Sequence, residues 1–160
     1  MRRLFSPWRK TYIERDKTKE QGCVFCEALK QSDGEGNLII HRGEHSFVIL
    51  NRFPYTSGHV MVLPFLHVAR LHELDAATRA EMIELQNKVV LVLTKVYKPE
   101  GFNLGANIGA AAGAGIEEHL HLHIVPRWVG DTNFTSVVAE TRVLPERLEQ
   151  TWQRVHAAWK

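Results

Sequence analysis

Residues 119–123 read His-Leu-His-Leu-His and are followed by Ile124 and Val125. Strict alternation of polar and apolar residues is typical of a β-strand, because successive side chains point to opposite faces of a sheet. The three histidines are therefore predicted to share one face, and the leucines to share the other with Ile124. The apolar face can close a hydrophobic core while the histidine face lines a pocket.

Three interpretations of the histidine face are open: metal binding, coincidence on a polar face, and nucleophilic or acid–base catalysis. Successive histidines on a strand lie about 6.5–7 Å apart, which is too wide for all three to bind one ion. A row of imidazoles with that spacing suits a polyphosphate, and imidazole has the unperturbed pKa nearest neutrality. The sequence offers no Walker A motif, Gly-x-Ser-x-Gly motif or set of kinase motifs for a rival mechanism.

The segments before the histidines add to this pattern. Residues 105–115 are rich in Gly and Ala and lead directly into it. Small residues let backbone N–H groups approach a ligand closely, as in loops that bind phosphate, although a flexible hairpin connection is the alternative. Farther upstream, residues 51–64 contain a turn, then Gly58-His59, then an apolar run that ends at Pro64.

Together these segments resemble the histidine triad (HIT) superfamily of nucleotide hydrolases and transferases. The family signature, His-φ-His-φ-His-φ-φ with φ apolar, is present at residues 119–125. The upstream family block, from Asn or Asp through Pro and Gly-His to a strand ending in Pro, is present at 51–64. The extension at 126–131 is similar to the branch that contains the fragile histidine triad proteins and the diadenosine tetraphosphate phosphorylases. The resemblance runs from about Leu4 to about Phe134.

The resemblance implies a role for each motif histidine. His121, the middle one, is expected to attack the α-phosphate and carry a nucleotidyl group. His119 is expected to hold the tautomer of this nucleophile through a hydrogen-bond relay, and His123 to contact the phosphate and its leaving side. His59 is expected to help set protonation and orientation. Attack by a neutral imidazole requires its second nitrogen to donate a proton, and the covalent intermediate splits one difficult displacement into two.

The same resemblance implies substrate contacts. Asn51 occupies the position that binds the ribose hydroxyls, and Asn107 lies near the amide contact of the family to the phosphate. Gly113 and Gly115, in the small-residue loop, are expected to bring main-chain amides to the phosphate beside His123.

The two cysteines of the chain form a second motif, Cys23-Val-Phe-Cys26. A Cys-x-x-Cys sequence occurs as half of a zinc site, as a redox pair, or by chance. Some HIT relatives hold zinc with two such cysteines, the histidine after the Gly-His strand, and the first triad histidine. The resemblance therefore implies a structural zinc site made by Cys23, Cys26, His67 and His119, with all four positions filled by protein.

Size and charge agree with a globular enzyme of one domain, residues 1–160. The net charge of +2 is mild and does not require a nucleic-acid partner. Residues 1–20 form a basic arm whose apolar residues are expected to pack on the domain, and the arm lacks the apolar core of a signal peptide. No stretch has the length of a transmembrane helix, so no membrane association is expected. The low cysteine content indicates a cytoplasmic setting.

Periodicity predicts an α+β fold with an antiparallel sheet, one long helix and a C-terminal helix. Strands are predicted at 37–40, 46–50, 59–63 and 102–108, in addition to the histidine strand. Asp75 is a suitable N-cap for a helix that reaches about Tyr97, and a C-terminal helix is predicted at about 145–159. HIT domains are usually two-fold dimers, so the resemblance also implies a homodimer.

The function implied is cleavage of dinucleoside polyphosphates of the diadenosine tri- or tetraphosphate type through a nucleotidyl-His121 intermediate. The acceptor is water in a hydrolase and inorganic phosphate in a phosphorylase, and the extension after the triad favours the phosphorylase-like branch. A phosphoramidase that acts on nucleoside monophosphate amides is a close alternative. A non-catalytic nucleotide sensor is an alternative of another class, whereas a metal bound on the triad itself is disfavoured by the extended spacing.

Overall fold

The computed structural model describes residues 22–131 and 146–160. The predicted basic arm at 1–20 lies outside these ranges, as does residue 145, where the C-terminal helix was predicted to begin. In chain order, the elements are α1 (Val24–Leu29), β1 (Ile39–Arg42), β2 (Ser46–Leu50), β3 (Val60–Pro64), α2 (Ala76–Tyr97), β4 (Gly101–Gly105), β5 (Leu122–Arg127) and α3 (Leu148–Ala158).

The five strands form one antiparallel sheet in the order β1-β2-β3-β5-β4. Because β5 lies between β3 and β4, the histidine-bearing strand has a paired backbone on both sides. Met61 of β3 lies opposite His123 of β5. All residues of β2 and β3 are buried, so both faces of the sheet are covered there. The predicted α+β class with an antiparallel sheet is confirmed.

The long helix α2 agrees closely with its sequence pattern. The Asp75 carboxylate accepts a hydrogen bond of 2.7 Å from the Thr78 N–H and caps the first turn. The helix ends at Tyr97, and the C-cap residue Lys98 has a left-handed φ of 48°. Its buried apolar residues are Met82, Leu85, Val89, Val92 and Leu93, at the predicted helical spacing. Among the described helices, none combines the length and the apolarity needed to cross a membrane.

The first strand begins later than predicted. Leu38 has a φ of 64°, a left-handed conformation that interrupts the extended backbone, so β1 starts at Ile39 and not at residue 37. Asn37 is buried and holds the bend, because its Oδ1 accepts hydrogen bonds from the N–H groups of Gly34 (3.1 Å) and Ile39 (3.2 Å). The preference of the sequence for strand at this point is therefore overridden by a side-chain-stabilised turn.

The histidine strand also begins later than predicted. β5 starts at Leu122, and the Leu120 N–H donates to the carbonyl of Val68 (2.7 Å) outside the sheet. The prediction that all three histidines lie on one strand is therefore wrong for His119 and His121, which both precede the strand, and only His123 belongs to β5. On the other side of the loop, β4 ends at Gly105 and does not reach residue 108.

The C-terminal helix α3 is anchored on the sheet and on α2. Trp152 donates its indole N–H to the carbonyl of Ile39 (2.9 Å) at the start of β1. Tyr97, the last residue of α2, hydrogen-bonds the Glu146 carboxylate, which also accepts from the Thr151 hydroxyl. These contacts fix α3 beside the ends of two other elements.

Replacing Gly58 by alanine is expected to destabilise the fold. Gly58 has a φ of +80°, and an added Cβ would lie 3.1 Å from Cε2 of Tyr97 and 3.3 Å from Cδ2 of Leu93. Left-handed strain and overpacking together predict a loss of about 1–3 kcal/mol in the free energy of unfolding, measured by urea denaturation. Gly101→Ala is the matched control, since an added Cβ there meets no atom within 4 Å. Equal losses in both variants would contradict the packing argument.

Candidate active site

Three of the four predicted catalytic histidines come together at the β3–β5 pair. The ring centroids of His121 and His123 are 4.8 Å apart, and those of His59 and His123 are 5.1 Å apart. The rings thus approach more closely than the backbone spacing of about 6.5–7 Å expected of an ideal strand. His59 and His121 are buried. The ring of His119 is turned to a different group of side chains, described below.

The tautomer of His121 is fixed by the main chain. Its Nδ1 lies 2.8 Å from the carbonyl oxygen of His119. Because a carbonyl oxygen only accepts hydrogen bonds, Nδ1 carries the proton and Nε2 keeps its lone pair. This is the form of imidazole that can attack phosphorus. The hydrogen bond expected of His119 is therefore made by its carbonyl and not by its ring.

A second chain of hydrogen bonds, here called the histidine relay, runs from Tyr55 through His59 to His123. The Tyr55 N–H donates to Nδ1 of His59 (3.1 Å), so the proton of His59 lies on Nε2. That Nε2 is 2.9 Å from Nδ1 of His123 and donates to it. His123 consequently carries its own proton on Nε2, where it acts as a hydrogen-bond donor.

Burial keeps these imidazoles neutral. Burial and the neighbouring rings of His123 and His121 lower the pKa of His59 to about 3. Burial and His121 lower the pKa of His123 to about 4. Burial also lowers the pKa of His121, and its hydrogen bond to the His119 carbonyl opposes this effect. At neutral pH the site therefore holds the lone pairs that the two hydrogen-bond arrangements require.

Two aromatic residues at the site were missed by the sequence reasoning, which considered polar and small residues. The Tyr55 ring centroid lies 4.5 Å from that of His59 and 5.9 Å from that of His123. The Phe25 ring centroid lies 5.5 Å from that of His119 and 5.5 Å from that of His121. Both aromatics lie inside motifs already noted, Tyr55 in the 51–64 block and Phe25 between the cysteines, and that position was the available signal.

Of the predicted substrate-binding residues, Asn51 and Asn107 lie near the histidines, whereas Gly113 and Gly115 lie in the small-residue loop. Asn51 lies beside the histidines, with Nδ2 3.4 Å from Nε2 of His59 and Oδ1 accepting from the Phe53 N–H (2.9 Å). Asn107 lines a groove that also contains His123. The Gly113 N–H donates to the carbonyl of Ala110 (2.9 Å), so this amide is engaged within the loop. Gly115 is half-buried in the same loop.

A separate group of side chains, here called the metal cluster, consists of Cys23, Cys26, His67 and His119. Their donor atoms all lie within 4.8 Å of one another. His119 Nδ1 is 3.3 Å from Cys23 Sγ and 3.7 Å from Cys26 Sγ, and His67 Nδ1 is 3.4 Å from Cys26 Sγ. The four residues that the resemblance implied are thus brought to one point.

The donor atoms of the metal cluster have a spacing that could hold a tetrahedral zinc ion. A tetrahedral zinc ion with Zn–S of about 2.3 Å and Zn–N of about 2.0 Å separates its sulfur and nitrogen ligands by about 3.5 Å. His119 donates from Nε2 to the carbonyl of Pro64 (3.0 Å), which leaves the Nδ1 lone pair facing the cysteines. Burial and the neighbouring Cys23 raise the pKa of the Cys26 thiol, a penalty that a bound cation offsets.

The arrangement is suited to displacement at phosphorus. A lone pair on His121 and an N–H donor on His123 belong to adjacent rings, whose centroids are 4.8 Å apart, and neither ring needs to change its protonation before it acts. The first can form a bond to phosphorus while the second stabilises charge on a departing oxygen. Fold and site therefore define a class of small α+β proteins with a buried cluster of neutral histidines.

Comparison with known proteins places the chain in a family. The sequence model of the HIT domain matches residues 35–129. The AP-4-A phosphorylase of Mycobacterium tuberculosis is 36% identical over 99% of this chain and 85% of its own length. The chain belongs to the HIT family, whose members are nucleotide-processing enzymes, and the prediction of such an enzyme is confirmed.

Two further relatives bear on the site. A zinc-bound histidine triad family protein from Mycobacterium smegmatis has a TM-score of 0.68 and 29% identity, and the match covers 86% of this chain and 93% of that one. The adenosine 5′-monophosphoramidase of Schizosaccharomyces pombe is 32% identical over 66% of this chain and 74% of its own length.

The buried histidines predict a loss of stability in acid. Histidine in the unfolded chain titrates near 6.5, whereas His59 and His123 titrate at about 3 and 4 in the fold. Between these values the unfolded chain binds protons that the folded chain does not, so stability falls as the pH falls through that window. We expect a loss of about 2–4 kcal/mol between pH 7 and pH 5, measured by urea denaturation with a chelator present.

The matched variants for this measurement are His59→Asn and His72→Gln. The first removes a buried titrating group and should flatten the pH dependence, while the second alters an exposed histidine and should leave it unchanged. Identical pH dependence in wild type and His59→Asn would contradict the assignment.

Proposed function

We propose that this protein cleaves dinucleoside polyphosphates, such as diadenosine tri- or tetraphosphate, with His121 as the nucleophile. The observation that carries the proposal is the pairing of opposite roles at adjacent rings, a lone pair on His121 Nε2 and a proton on His123 Nε2. The 36% identity to an AP-4-A phosphorylase supports the choice of substrate.

The proposed reaction has two displacements. In the first, His121 Nε2 bonds to the α-phosphorus, and the electron pair of the P–O bond departs with the oxygen of the leaving nucleotide. His123 Nε2–H stabilises that oxygen by a hydrogen bond without giving up its proton. In the second, an oxygen of inorganic phosphate or of water attacks phosphorus, and the electron pair of the P–N bond returns to Nε2. When water is the acceptor, its proton is released to solvent.

A polyphosphate leaving group fits the neutral relay. A nucleotide leaves as a stable anion and needs only a hydrogen bond from His123. An amine must receive a proton as it leaves. His123 has a pKa of about 4, so it is a neutral imidazole at pH 7 and a poor general acid. The anhydride is therefore favoured over the amide. The phosphoramidase alternative rests on the relative from Schizosaccharomyces pombe and on the same nucleophile.

Product analysis with diadenosine tetraphosphate tests the proposal. With phosphate, a phosphorylase gives ADP and ATP, whereas a hydrolase gives AMP and ATP without it. His121→Gly is expected to lower turnover by about 10⁴-fold or more while AMP binding changes little, because the variant removes the attacking nitrogen. His72→Gly, at an exposed position, is the control and should keep full turnover.

The outcomes separate the alternatives. Turnover of adenosine 5′-phosphoramidate alone by the wild type would favour the phosphoramidase. Binding of AMP without turnover of either compound would favour the sensor and overturn the proposal of catalysis.

We propose that the metal cluster binds one structural zinc ion. Zinc would hold α1 to the segment that carries His119, and it would supply no substrate position because all four ligands come from the protein. His119 would then be held at Nδ1 by the metal and at Nε2 by Pro64, so the carbonyl that orients His121 would be fixed as well.

Removing one ligand should release the ion. Cys26→Ser is expected to reduce bound zinc from about one per chain to near zero, measured by elemental analysis after dialysis, because three-ligand sites hold zinc less tightly. Glu27→Gln, an exposed neighbour in α1, is the control. Equal zinc in Cys26→Ser and wild type, or none in wild type reconstituted with zinc, would contradict the proposed site.

We further propose a two-fold dimer and a cytoplasmic location. Strand β4 is an edge of the described sheet, and it carries an exposed Leu104, while Ile83 and Leu91 of α2 are also exposed. An uncovered edge strand with exposed apolar side chains supports association with a second copy. The two cysteines are free thiols at the metal cluster, which agrees with a reducing compartment.

A further inference from the structure

A groove of about 350 Å³ leads away from the histidines along β4 and β5. Its lining includes Tyr55, Asn103, Asn107, His123 and Arg127. Alternation in β5 places His123 and Arg127 on the same face, and four residues of strand separate their Cα atoms by about 13 Å. The groove therefore extends from His123, the last residue of the relay, to Arg127.

The lining of this groove favours an anion. Arg127 is the only charged side chain among the described residues that line it, and Asn103 and Asn107 add side-chain amides. A volume of this size suits a small-molecule ligand. Leu104, Ala106 and Val125 form apolar parts of the wall, so Arg127 and the two asparagines are the groups that could bind a phosphate chain.

Arg127 is held in a fixed orientation. Asp131 accepts from Nε (2.5 Å) and Nη2 (2.8 Å), and Asn103 Oδ1 accepts from Nη1 (2.6 Å). A guanidinium has five N–H donors, so one donor on Nη1 and one on Nη2 remain for a ligand. Because the side chain is already ordered, little rotamer freedom is lost when these donors bind an oxygen.

We propose that the groove between His123 and Arg127 binds the phosphate chain of the departing nucleotide, and that Arg127 determines specificity for substrates with a long phosphate chain. The proposal rests on the proposed function, since it extends the same site beyond His123. A leaving oxygen held by His123 continues into the groove, where the remaining phosphates meet the amide of Asn103 or Asn107 and the free donors of Arg127. A phosphoramidate has no such chain and gains nothing from Arg127.

The kinetic test compares two substrates in one variant. Arg127→Met should lower kcat/KM for diadenosine tetraphosphate by about tenfold or more, and that for adenosine 5′-phosphoramidate by a clearly smaller factor. The control is Arg154→Met. Arg154 is also paired with a carboxylate, that of Glu146, but it lies outside the groove, so this variant should leave the ratio of the two kcat/KM values unchanged. Equal losses for both substrates would overturn the proposal.

A binding test covers the case in which Arg127→Met disturbs the turn that Asp131 closes. Asn103→Asp keeps an acceptor for Arg127 Nη1 and adds a negative charge to the groove. In a His121→Gly background, this variant should weaken ATP binding by about tenfold while AMP binding changes less than about twofold, measured by calorimetry.

The two failures are distinguishable. If the wild type turns over neither substrate, the proposed function falls, but the difference between ATP and AMP still decides whether the groove binds a phosphate chain. If Asn103→Asp weakens ATP and AMP equally, or neither, the groove assignment is wrong whatever the activity.

Discussion

The hydrogen bond from His121 Nδ1 to the carbonyl oxygen of His119 spans only two residues, yet it requires the chain to leave the sheet just before β5. In a regular strand that carbonyl would face a neighbouring strand and not the ring of its own segment. The contact of Leu120 with the carbonyl of Val68 holds the chain in the irregular form. One local backbone conformation therefore determines three features: the protonation of His121, the position of the His119 ring and the start of β5.

Much of this site follows from residue types and their order. The alternating pattern predicted that His121 and His123 are neighbours. The family resemblance predicted that Cys23, Cys26 and His67 lie around His119, although the four residues come from three distant segments. These features are predictable because few side chains bind metals or attack phosphorus, so their spacing carries information. The long helix was predictable for a different reason, since Asp75 and its apolar spacing both act locally.

The remaining features depend on tertiary contacts that local patterns do not encode. The left-handed Leu38 is stabilised by the side chain of Asn37, which a strand propensity does not include. The ring of Tyr55 and its amide reach His59 through a turn whose shape was not visible in the sequence. The pairing of Arg127 with Asp131 and Asn103 joins two strands and a turn, so its partners emerge only when β4 and β5 are aligned.

The neutrality of the histidine relay also bears on how a product leaves. Nucleotides are polyanions before and after cleavage, and a cluster of imidazolium ions would attract the product as strongly as the substrate. His59 and His123 contribute orientation without positive charge, because burial keeps both rings neutral at pH 7. The preference of these histidines for one nucleotide over another thus depends on the direction of one N–H bond. When the product nucleotide dissociates, no opposite charges have to be separated at the histidines.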